Sequence, residues 1–479
     1  MNNFLVLPRI QRIATKEQNR RSQRRTWFAM ACLVCLIFLW SNGARLQIFA
    51  LDDHYVNVLR LAAVLLIFGG SIVAFKLRTW RFIIRSFYFR AILLLLAAVM
   101  LPTFITGVFR YGQSVTEVIR QPLMYYALFV FVLLAFITSP RDRVYPLLMA
   151  LVWTVTGICA LYIIASLIPQ ATSEWFVAKV AIGDRFGNAR LTASAAINNL
   201  AIFSIIYLVL QLFTVQARWW QRVWFSIGIV ILLYYQAFVL ISRTRLLGLL
   251  ACLVIFLFPH INWRKLFVPG IVFIGLLCTL QMTTQIKPLD IFVSTYQSII
   301  TMDRDAERDT ISIRLDGVQY YYEEFLNSRM IGIGLVSPVR SEQSDIAYAM
   351  TKLAYNPADL GILAVLFFFG IPGILATIVV AARIFRDSRY VIRHGTLENR
   401  AIALAIRLYL TFYIISFYHV FLYDEYALEW GVLFFALTHV YALSKPVNVP
   451  PRQQPLPVLP FRRGHFVGES KCTTKHSTE

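Results

Sequence analysis

Two arginines, Arg243 and Arg245, lie in the stretch LISRTRLLG at residues 240–248, between two strongly apolar runs. A guanidinium group carries five fixed donors and suits bidentate binding of phosphate oxygens. Placing two such groups at the ends of apolar helices is costly unless they have a partner. We therefore interpret the pair as a clamp for a phosphate-bearing anion. The alternative is that both side chains reach out to lipid headgroups.

Three further arginines belong to the same hypothesis. Arg314 lies in ISIRLDG, a segment of helical periodicity, and Arg185 and Arg190 form a basic pair in IGDRFGNARLTAS. Each has an ordinary alternative, because Arg314 could pair with Asp316 or Glu324 and the other two could be solvated loop charges. The residues predicted to bind a diphosphate are Arg243, Arg245, Arg314, Arg185 and Arg190.

Carboxylates that could act as a general base lie in the segment 284–359. Asp359, in NPADLG, directly precedes a long apolar run, where a carboxylate is either a helix N-cap or a buried functional group. Asp345 lies earlier in the same segment, with Asp316 and Glu342 as further candidates. The sequence does not choose among these four.

The predicted catalytic residues are Arg243, Arg314, Asp359 and Asp345. A second acidic group, Asp424, Glu425 and Glu429, lies at another helix junction. These carboxylates could pair with arginines, and the pattern alone does not assign the pairs.

The composition indicates which elements must position these residues. The 479 residues are 58% hydrophobic and only 15% charged, and the mean hydropathy is +0.63. A soluble domain would need a more charged surface, so we predict an all-α polytopic membrane protein. The net charge of +21 comes from short basic clusters beside apolar runs, which is typical of membrane proteins and not of nucleic-acid binding.

Twelve apolar runs are long enough to cross a bilayer, where a helix needs about 20 residues, or fewer if flanking side chains reach the interface. The predicted spans lie near 26–40, 58–75, 91–109, 121–137, 145–168, 195–215, 223–241, 246–258, 266–283, 360–382, 402–422 and 426–443. The span at 246–258 is short, so we predict that it extends from Thr244 towards Ile261.

The distribution of Lys and Arg sets the orientation. The segments assigned to the cytoplasm carry 29 basic residues and the opposite segments 15, of which seven lie in one long loop. Both termini are therefore predicted to be cytoplasmic, with Arg243 and Arg245 on the outer side. The positive-inside rule explains basic residues on the cytoplasmic side only, so it does not account for this outer pair. That strengthens the interpretation of the pair as an anion clamp.

The predicted organisation has five parts. A basic tail at 1–25 precedes nine spans within 26–283, a large outer loop at 284–359, three more spans within 360–443 and a Pro-rich tail at 444–479 that is predicted to be disordered. The loop holds 7 basic and 11 acidic residues and contains a predicted amphipathic helix with Ile311, Leu315, Val318, Tyr322 and Phe325 on its apolar face. Next, SRMIGIGLVSP predicts a glycine-containing turn and irregular chain.

Several common catalytic patterns are missing from the sequence. There is no P-loop, no GxGxxG and no HExxH, and the six cysteines show no metal-ligand spacing. We therefore predict no metal and no cofactor. Nucleotides are absent outside a cytoplasmic membrane. A reaction on that side must therefore be driven by a substrate that is already activated and is carried by the membrane.

Together these features resemble the O-antigen ligase and O-antigen polymerase superfamily of bacterial cell envelopes. The resemblance rests on the plan of twelve spans with one large outer loop between the ninth and tenth, on SRTRLLGLL at 242–250, and on RLDGVQYYYEEFLNSRMIGIG at 314–334. It ends with NPADLGILAVLFFFGIPGIL at 356–375, whose GIPG turn is typical of the span after that loop.

The resemblance implies a glycosyltransferase that moves a glycan from an undecaprenyl-pyrophosphate carrier to an acceptor at the periplasmic face of the inner membrane. Arg243 or Arg245, with Arg314, would bind the diphosphate and stabilise the charge that grows on it as the glycosidic bond breaks. Membrane lipids are the other expected partners, and a chain-length regulator binding the basic cytoplasmic loops is left open.

One departure separates the alternatives. Ligases of this superfamily carry a His-Asn pair near the end of the large loop, where this chain has Tyr355 before Asn356 and no histidine. That favours a polymerase joining repeat units into O-antigen, capsule or exopolysaccharide. The alternatives are a ligase acting on an acceptor such as lipid A-core, and a polysaccharide or lipid transporter. A transporter would be expected to show internal repeats, and none is visible.

Overall fold

Long apolar runs form the helices of this protein. The computed structural model describes residues 6–40, 62, 65–67, 69, 80–138, 144–167, 183–185, 188–190, 195–214, 218–240, 243–257, 304–335, 360–416, 421–422 and 426–445. The predicted spans at 266–283 and, for the most part, 58–75 lie outside these described residues.

The described elements follow one another along the chain as a series of helices with a single hairpin. In the first half they are α1 (Val6–Trp40), α2 (Trp80–Arg85), α3 (Phe87–Phe109), α4 (Val115–Arg120), a 3₁₀ segment (Gln121–Phe129), α5 (Val130–Ile137), α6 (Tyr145–Leu167), β1 (Gly183–Arg185), β2 (Asn188–Arg190) and α7 (Ala195–Thr214). In the second half they are α8 (Trp219–Tyr234), a π segment (Tyr235–Val239), α9 (Arg243–Leu257), α10 (Arg304–Asn327), α11 (Ile362–His394), α12 (Leu397–Ile415) and α13 (Ala427–Ser444).

Seven helices in the described part of the chain are long and apolar enough to cross a membrane. They are Phe87–Phe109, Val115–Ile137, Tyr145–Ile164, Ala196–Phe213, Trp219–Val239, Ile362–His394 and Ala427–Ser444. The prediction of an all-α polytopic membrane protein is therefore confirmed. The total of twelve spans stays a prediction, since parts of the chain are not described.

Two helices lie inside the bundle and the others surround them. The apolar window of α7 is 94% buried and that of α13 is 78% buried, against about half for most other spans. The side chains of α13 are buried on every side, from Trp430 at 0% exposure to His439 at 2%. A helix buried all round must be apolar all round, so the few polar groups on α13 need partners inside the bundle.

The antiparallel hairpin was not predicted. Strands β1 and β2 pair Gly183 with Arg190 and Arg185 with Asn188. This register makes positions 185 and 190 diagonal neighbours on one face of the ladder. The two arginines that the sequence analysis treated as a pair are therefore held close together by the backbone.

Helix α10 forms where the amphipathic pattern predicts it, and part of the predicted apolar face is buried. Phe325 is buried and Val318 is half-buried against the core, while Leu315 is 63% and Tyr322 50% exposed. Tyr321, which was not assigned to that face, is buried, and its ring lies 5.4 Å from that of Phe368 on α11. Packing on α11 therefore selects the side of the helix that carries Tyr321.

An ion pair joins α10 to the end of α3. Arg110 Nη2 lies 2.7 Å from Glu324 Oε2, and the Tyr111 hydroxyl donates to the same oxygen at 3.4 Å. Burial raises the pKa of Tyr111, which keeps the phenol neutral and able to donate. Because both charged groups are partly exposed, we expect Arg110→Ala to lower the free energy of unfolding by less than about 1 kcal/mol. Thermal unfolding in detergent would measure it, and a loss several times larger would contradict a screened pair.

The chain after α10 enters the bundle and bonds to a break in α11. We call residues 328–335 together with 367–371 the glycine junction. Helix α11 is broken at Gly370, which has φ 63° and ψ −162°. The break, and the missing N–H of Pro372, leave the carbonyl oxygens of Phe367 and Phe368 without donors from their own helix.

Backbone groups of the inserted segment replace the lost helical partners. Ile333 N–H donates to Phe367 O at 2.9 Å, and Gly334 N–H donates to Phe368 O at 2.7 Å. In return, Ile371 N–H donates to Met330 O at 3.1 Å. Backbone groups at membrane depth must be satisfied within the protein, so the break and the inserted segment require each other.

Hydroxyls of α3 complete the junction on its other side. The Thr103 hydroxyl accepts from Leu335 N–H at 3.1 Å, and the Thr106 hydroxyl donates to Ile333 O. An ideal Cβ on Gly334 would lie 2.6 Å from the Thr103 Cα atom. The segment therefore fits between α3 and α11 only with hydrogen at this position. The predicted glycine turn and irregular chain are confirmed, and their burial was not predicted.

Candidate functional site

The ends of four helices meet where α8 gives way to α9. Helix α9 packs on α12, where Cys252 Sγ donates to Leu408 O at 3.2 Å. An ideal Cβ on Gly248 would lie 2.0 Å from Ser416 Oγ, so the two helices touch at this glycine. The start of α9, the last turns of α12 and the first turn of α13 therefore lie at one end of the bundle. We call this the α9 end.

Glu429 is a buried carboxylate at the α9 end. It lies in the first turn of α13 and is 2% exposed. Its Oε1 atom accepts hydrogen bonds from the Tyr409 hydroxyl at 2.8 Å and from the Tyr413 hydroxyl at 2.7 Å. The positive end of the α13 dipole also favours a negative charge at this position.

Arg245 is a basic residue that interacts electrostatically with Glu429. Its side chain is half-buried, and it lies in the first turn of α9. A buried carboxyl group needs hydrogen bonds or a charged neighbour, and the two tyrosine hydroxyls are the donors to Glu429. The interaction with Arg245 links the start of α9 to the start of α13.

Aromatic rings hold the tyrosines that support Glu429. Tyr409 lies 5.7 Å from Trp430 and 5.4 Å from Phe203 of α7, measured between ring centroids. Tyr413 lies 5.0 Å from Tyr409 with the rings nearly perpendicular. All four rings are buried, so the hydroxyls have little freedom to leave the carboxylate. The site is a rigid one.

A polar group on α7 and the π segment lies close by in the fold. The Tyr235 hydroxyl donates to Asn198 Oδ1 at 2.6 Å, and Gln236 Nε2 donates to Asn198 O at 2.8 Å. The π turn is closed by Leu240 N–H donating to Tyr235 O at 2.9 Å. A π turn rotates the residues that follow it, and such turns occur often at functional sites. Here it ends the helix directly before Arg243.

Arg243 is the first residue of α9. Its backbone therefore lies at the helix N-terminus, where free N–H groups and the helix dipole attract anions. The first turn of α9 contains no acidic residue, and it carries both Arg243 and Arg245. This end of the helix is strongly positive, although the side chain of Arg243 lies outside the described residues.

The other predicted site residues have different outcomes. Arg314 lies within α10, and its side chain is not among those described, so its distance from Arg245 stays a prediction. Asp345 and Asp359 lie outside the described residues. The N-cap residue of α11 is Gly361, so both interpretations of Asp359, as a helix cap or as a buried functional group, stay predictions. Arg185 and Arg190 lie on the hairpin, and their roles also stay predictions.

The tyrosines were missed by the sequence analysis, and Glu429 was named there without an assigned partner. Tyr409 and Tyr413 are four residues apart on α12, which places them on the same face of the helix. The sequence does contain a signal for Tyr409 and Tyr413. It is two hydroxyls on one face of an apolar helix, followed by a carboxylate in the next apolar helix. Among the described residues, no group of three or more His, Cys, Asp or Glu could hold a metal ion.

One known protein family matches the part of the chain that includes the start of α9. Residues 228–378 match the family model described as O-antigen ligase. This segment of the chain is similar to the O-antigen ligase family. The match supports the predicted O-antigen ligase and polymerase superfamily, and it covers the end of α8, all of α9 and α10, and the glycine junction. No curated protein matches the chain.

The matched segment contains Arg245 and the break in α11 but ends before Glu429. The family implies a glycosyl-transferring enzyme of the O-antigen ligase or polymerase type. With its membrane helices, the chain is a multi-pass membrane protein of polysaccharide biosynthesis. The α9 end is the best candidate for the place where its chemistry occurs.

Proposed function

We propose that the protein is a polymerase that joins lipid-linked oligosaccharide repeat units into a polysaccharide. The donor would be an undecaprenyl-pyrophosphate-linked glycan, and the reaction would take place at the periplasmic face of the inner membrane, with both termini cytoplasmic. The observation that carries the proposal is the pair of arginines in the first turn of α9, which lies in the segment that matches the O-antigen ligase family model and where Arg245 interacts electrostatically with Glu429.

The chemistry fits what this site offers. An acceptor hydroxyl attacks the anomeric carbon, the bond from that carbon to the diphosphate oxygen breaks, and the lipid diphosphate leaves with the bonding electrons. Negative charge therefore grows on the diphosphate, and guanidinium groups with a helix N-terminus stabilise it. The proton of the acceptor passes to a base, for which Asp345 and Asp359 remain the candidates.

Glu429 has a positioning role in this proposal. It does not contact the substrate, because it is enclosed by Tyr409 and Tyr413. Its charge restrains the Arg245 guanidinium, which reduces the entropy that is lost when the arginine binds a diphosphate. A restrained arginine is also less able to follow the leaving group away from the site.

The polymerase is favoured over the ligase because the chain lacks the residue pair with which ligases help to activate the acceptor. The large loop at 284–359 contains no histidine, whereas the ligases that this chain resembles carry a His-Asn pair there. The matched family is itself described as O-antigen ligase, so the ligase is the second candidate.

Glycans of a deletion strain separate the two candidates. Without a polymerase, the cells should contain single repeat units on the carrier or on the acceptor. Without a ligase, full-length polymer should accumulate on the lipid carrier. Gel electrophoresis of the glycans gives the answer, and accumulation of long polymer would overturn the polymerase proposal.

Substitutions of Arg243 and Arg314 test the proposed diphosphate site. Arg243→Ala and Arg314→Ala should each leave the protein in the membrane at normal abundance and reduce chain elongation by about 100-fold. Arg329→Ala is a matched control, because Arg329 is an exposed arginine just after α10. Full-length polymer in both variants would show that neither arginine binds the donor.

A further inference from the structure

A lateral groove lies between α6 and α8. It has a volume of about 510 Å³, within the range of roughly 300–1,000 Å³ that is usual for ligand pockets. Helix α6 contributes Tyr145, Met149 and Trp153, and α8 contributes Trp220 and Trp224 among others. The residues from α6 are four apart, so they form one stripe along the helix.

The groove begins where the two helices begin. Tyr145 and Trp220, near the starts of α6 and α8, line this end, which we call the open end. Two turns further along α6 and one turn further along α8, the rings of Trp153 and Trp224 meet edge to face with their centroids 6.5 Å apart. Apart from Gln221, the residues that line the groove are aromatic or apolar, and we call the space between them the slot.

The open end has the character of a membrane–water interface. Trp220 and Trp224 are partly exposed, at 45% and 54%, as tryptophans at lipid headgroups are. Arg218, the N-cap residue of α8, and Arg222, in its first turn, are exposed at the same end of the helix, and Glu398 interacts electrostatically with Tyr145. The cations at this end therefore outnumber the described carboxylate.

We propose that this groove binds a glycerophospholipid from the surrounding leaflet, with one acyl chain in the slot and its phosphate on Arg218 and Arg222. The aromatic lining matches an acyl chain, and the two guanidinium groups match a phosphodiester. The groove lies between two membrane-spanning helices, so its ligand arrives from the bilayer.

The groove lies far from the proposed reaction site. Trp220 begins α8, whereas Arg245 follows the end of the same span, about 30 Å away along the helix axis. The diphosphate of a donor bound at the α9 end cannot reach Arg218. The proposal is therefore independent of glycan transfer, and the bound lipid would join α6 to α8 at the end opposite the α9 end.

Native mass spectrometry of the purified, delipidated full-length protein tests the proposal with palmitoyl-oleoyl phosphatidylglycerol as the probe. The unmodified protein should bind one lipid tightly. Met149→Trp, which fills the slot, and Trp224→Ala, which removes its wall, should each weaken binding by about tenfold. Trp219→Ala is the matched control, because Trp219 is 77% exposed and does not line the groove.

Headgroup binding is tested by Arg222→Gln, which should remove the preference for phosphatidylglycerol over phosphatidylcholine. Thermal unfolding of each variant should match that of Trp219→Ala, so a misfolded variant is recognised. Unchanged phosphatidylglycerol binding by Met149→Trp would overturn the proposal. Displacement of the lipid by an equal concentration of undecaprenyl phosphate would also overturn it, since the groove would then bind the carrier.

Discussion

Gly370→Ala is expected to lower the free energy of unfolding by about 4 kcal/mol or more, a loss as large as that caused by severe defects in a protein core. Gly370 has a φ of 63°, which strains any residue with a Cβ. An ideal Cβ would also lie 2.0 Å from Ile331 O and 2.5 Å from Met330 O. These are backbone atoms of the inserted segment, so no side-chain rotation relieves the overlap.

The loss should be specific to the glycine junction. Moving the segment away from Gly370 also breaks the bonds from Ile333 and Gly334 to the carbonyls of α11. Each buried group left unpaired costs about 1–3 kcal/mol. Gly157→Ala is the matched control, because Gly157 lies within helix α6 with nothing within 4 Å of an ideal Cβ.

Thermal unfolding and size-exclusion chromatography in detergent measure this prediction. Gly157→Ala should behave like the unmodified protein. Gly370→Ala should yield little folded protein, or protein with a greatly reduced melting temperature. Equal stability of the two variants would show that the inserted segment does not pack against the break in α11.

Changes at Glu429 should have the second large effect, and two substitutions separate its two roles. Glu429→Ala removes the acceptor of the Tyr409 and Tyr413 hydroxyls and the carboxyl group that interacts with Arg245, and it should cost about 3 kcal/mol of stability. Glu429→Gln keeps an acceptor oxygen and removes only the charge. It should fold, and it should transfer glycan about 100-fold more slowly.

The pairing of Glu429 with Arg245 is tested by a double-mutant cycle. Arg245→Gln alone should also reduce glycan transfer by about 100-fold. The double variant should be little worse than either single variant, because residues that act as a unit show non-additive effects. Additive losses would contradict a positioning role for Glu429.

A matched carboxylate provides the control for charge removal. Glu398 lies in the first turn of α12, at the other end of that helix from the α9 end. Glu398→Gln should leave glycan transfer unchanged, because it removes the same charge from a comparable helix position far from Arg245. Conversely, Tyr413→Phe should cost only about 1 kcal/mol of stability, since Glu429 retains Tyr409 as a donor.

Much of the fold could be predicted from the sequence because lipid exposure imposes a strong local rule. A span must be apolar over its length and must satisfy its own backbone, so the apolar runs mark the helices. Even the short helix α9 begins at Arg243, one residue before the predicted start. The pair of arginines at its first turn was found for the same reason, since charges beside such runs are rare.

The features that were missed depend on contacts between distant parts of the chain. The backbone bonds between Gly334 and Phe368 cannot be seen in a local pattern, because a glycine turn and a glycine in a helix each look ordinary alone. The buried face of α10 depends on the shape of α11, which selects Tyr321 over its neighbour Tyr322. Glu429 could be named but not paired, because its partner comes from a helix much earlier in the chain.

The most direct measurement of the central claim uses the purified protein in lipid vesicles with undecaprenyl-pyrophosphate-linked repeat units. If Arg245, restrained by Glu429, stabilises a diphosphate leaving group, the unmodified protein will form a ladder of longer glycans and release undecaprenyl pyrophosphate. Folded Arg245→Gln will form both about 100-fold more slowly. Repeat units that remain single and bound to their carrier in the presence of the unmodified protein would contradict the claim, as would an undiminished ladder from Arg245→Gln.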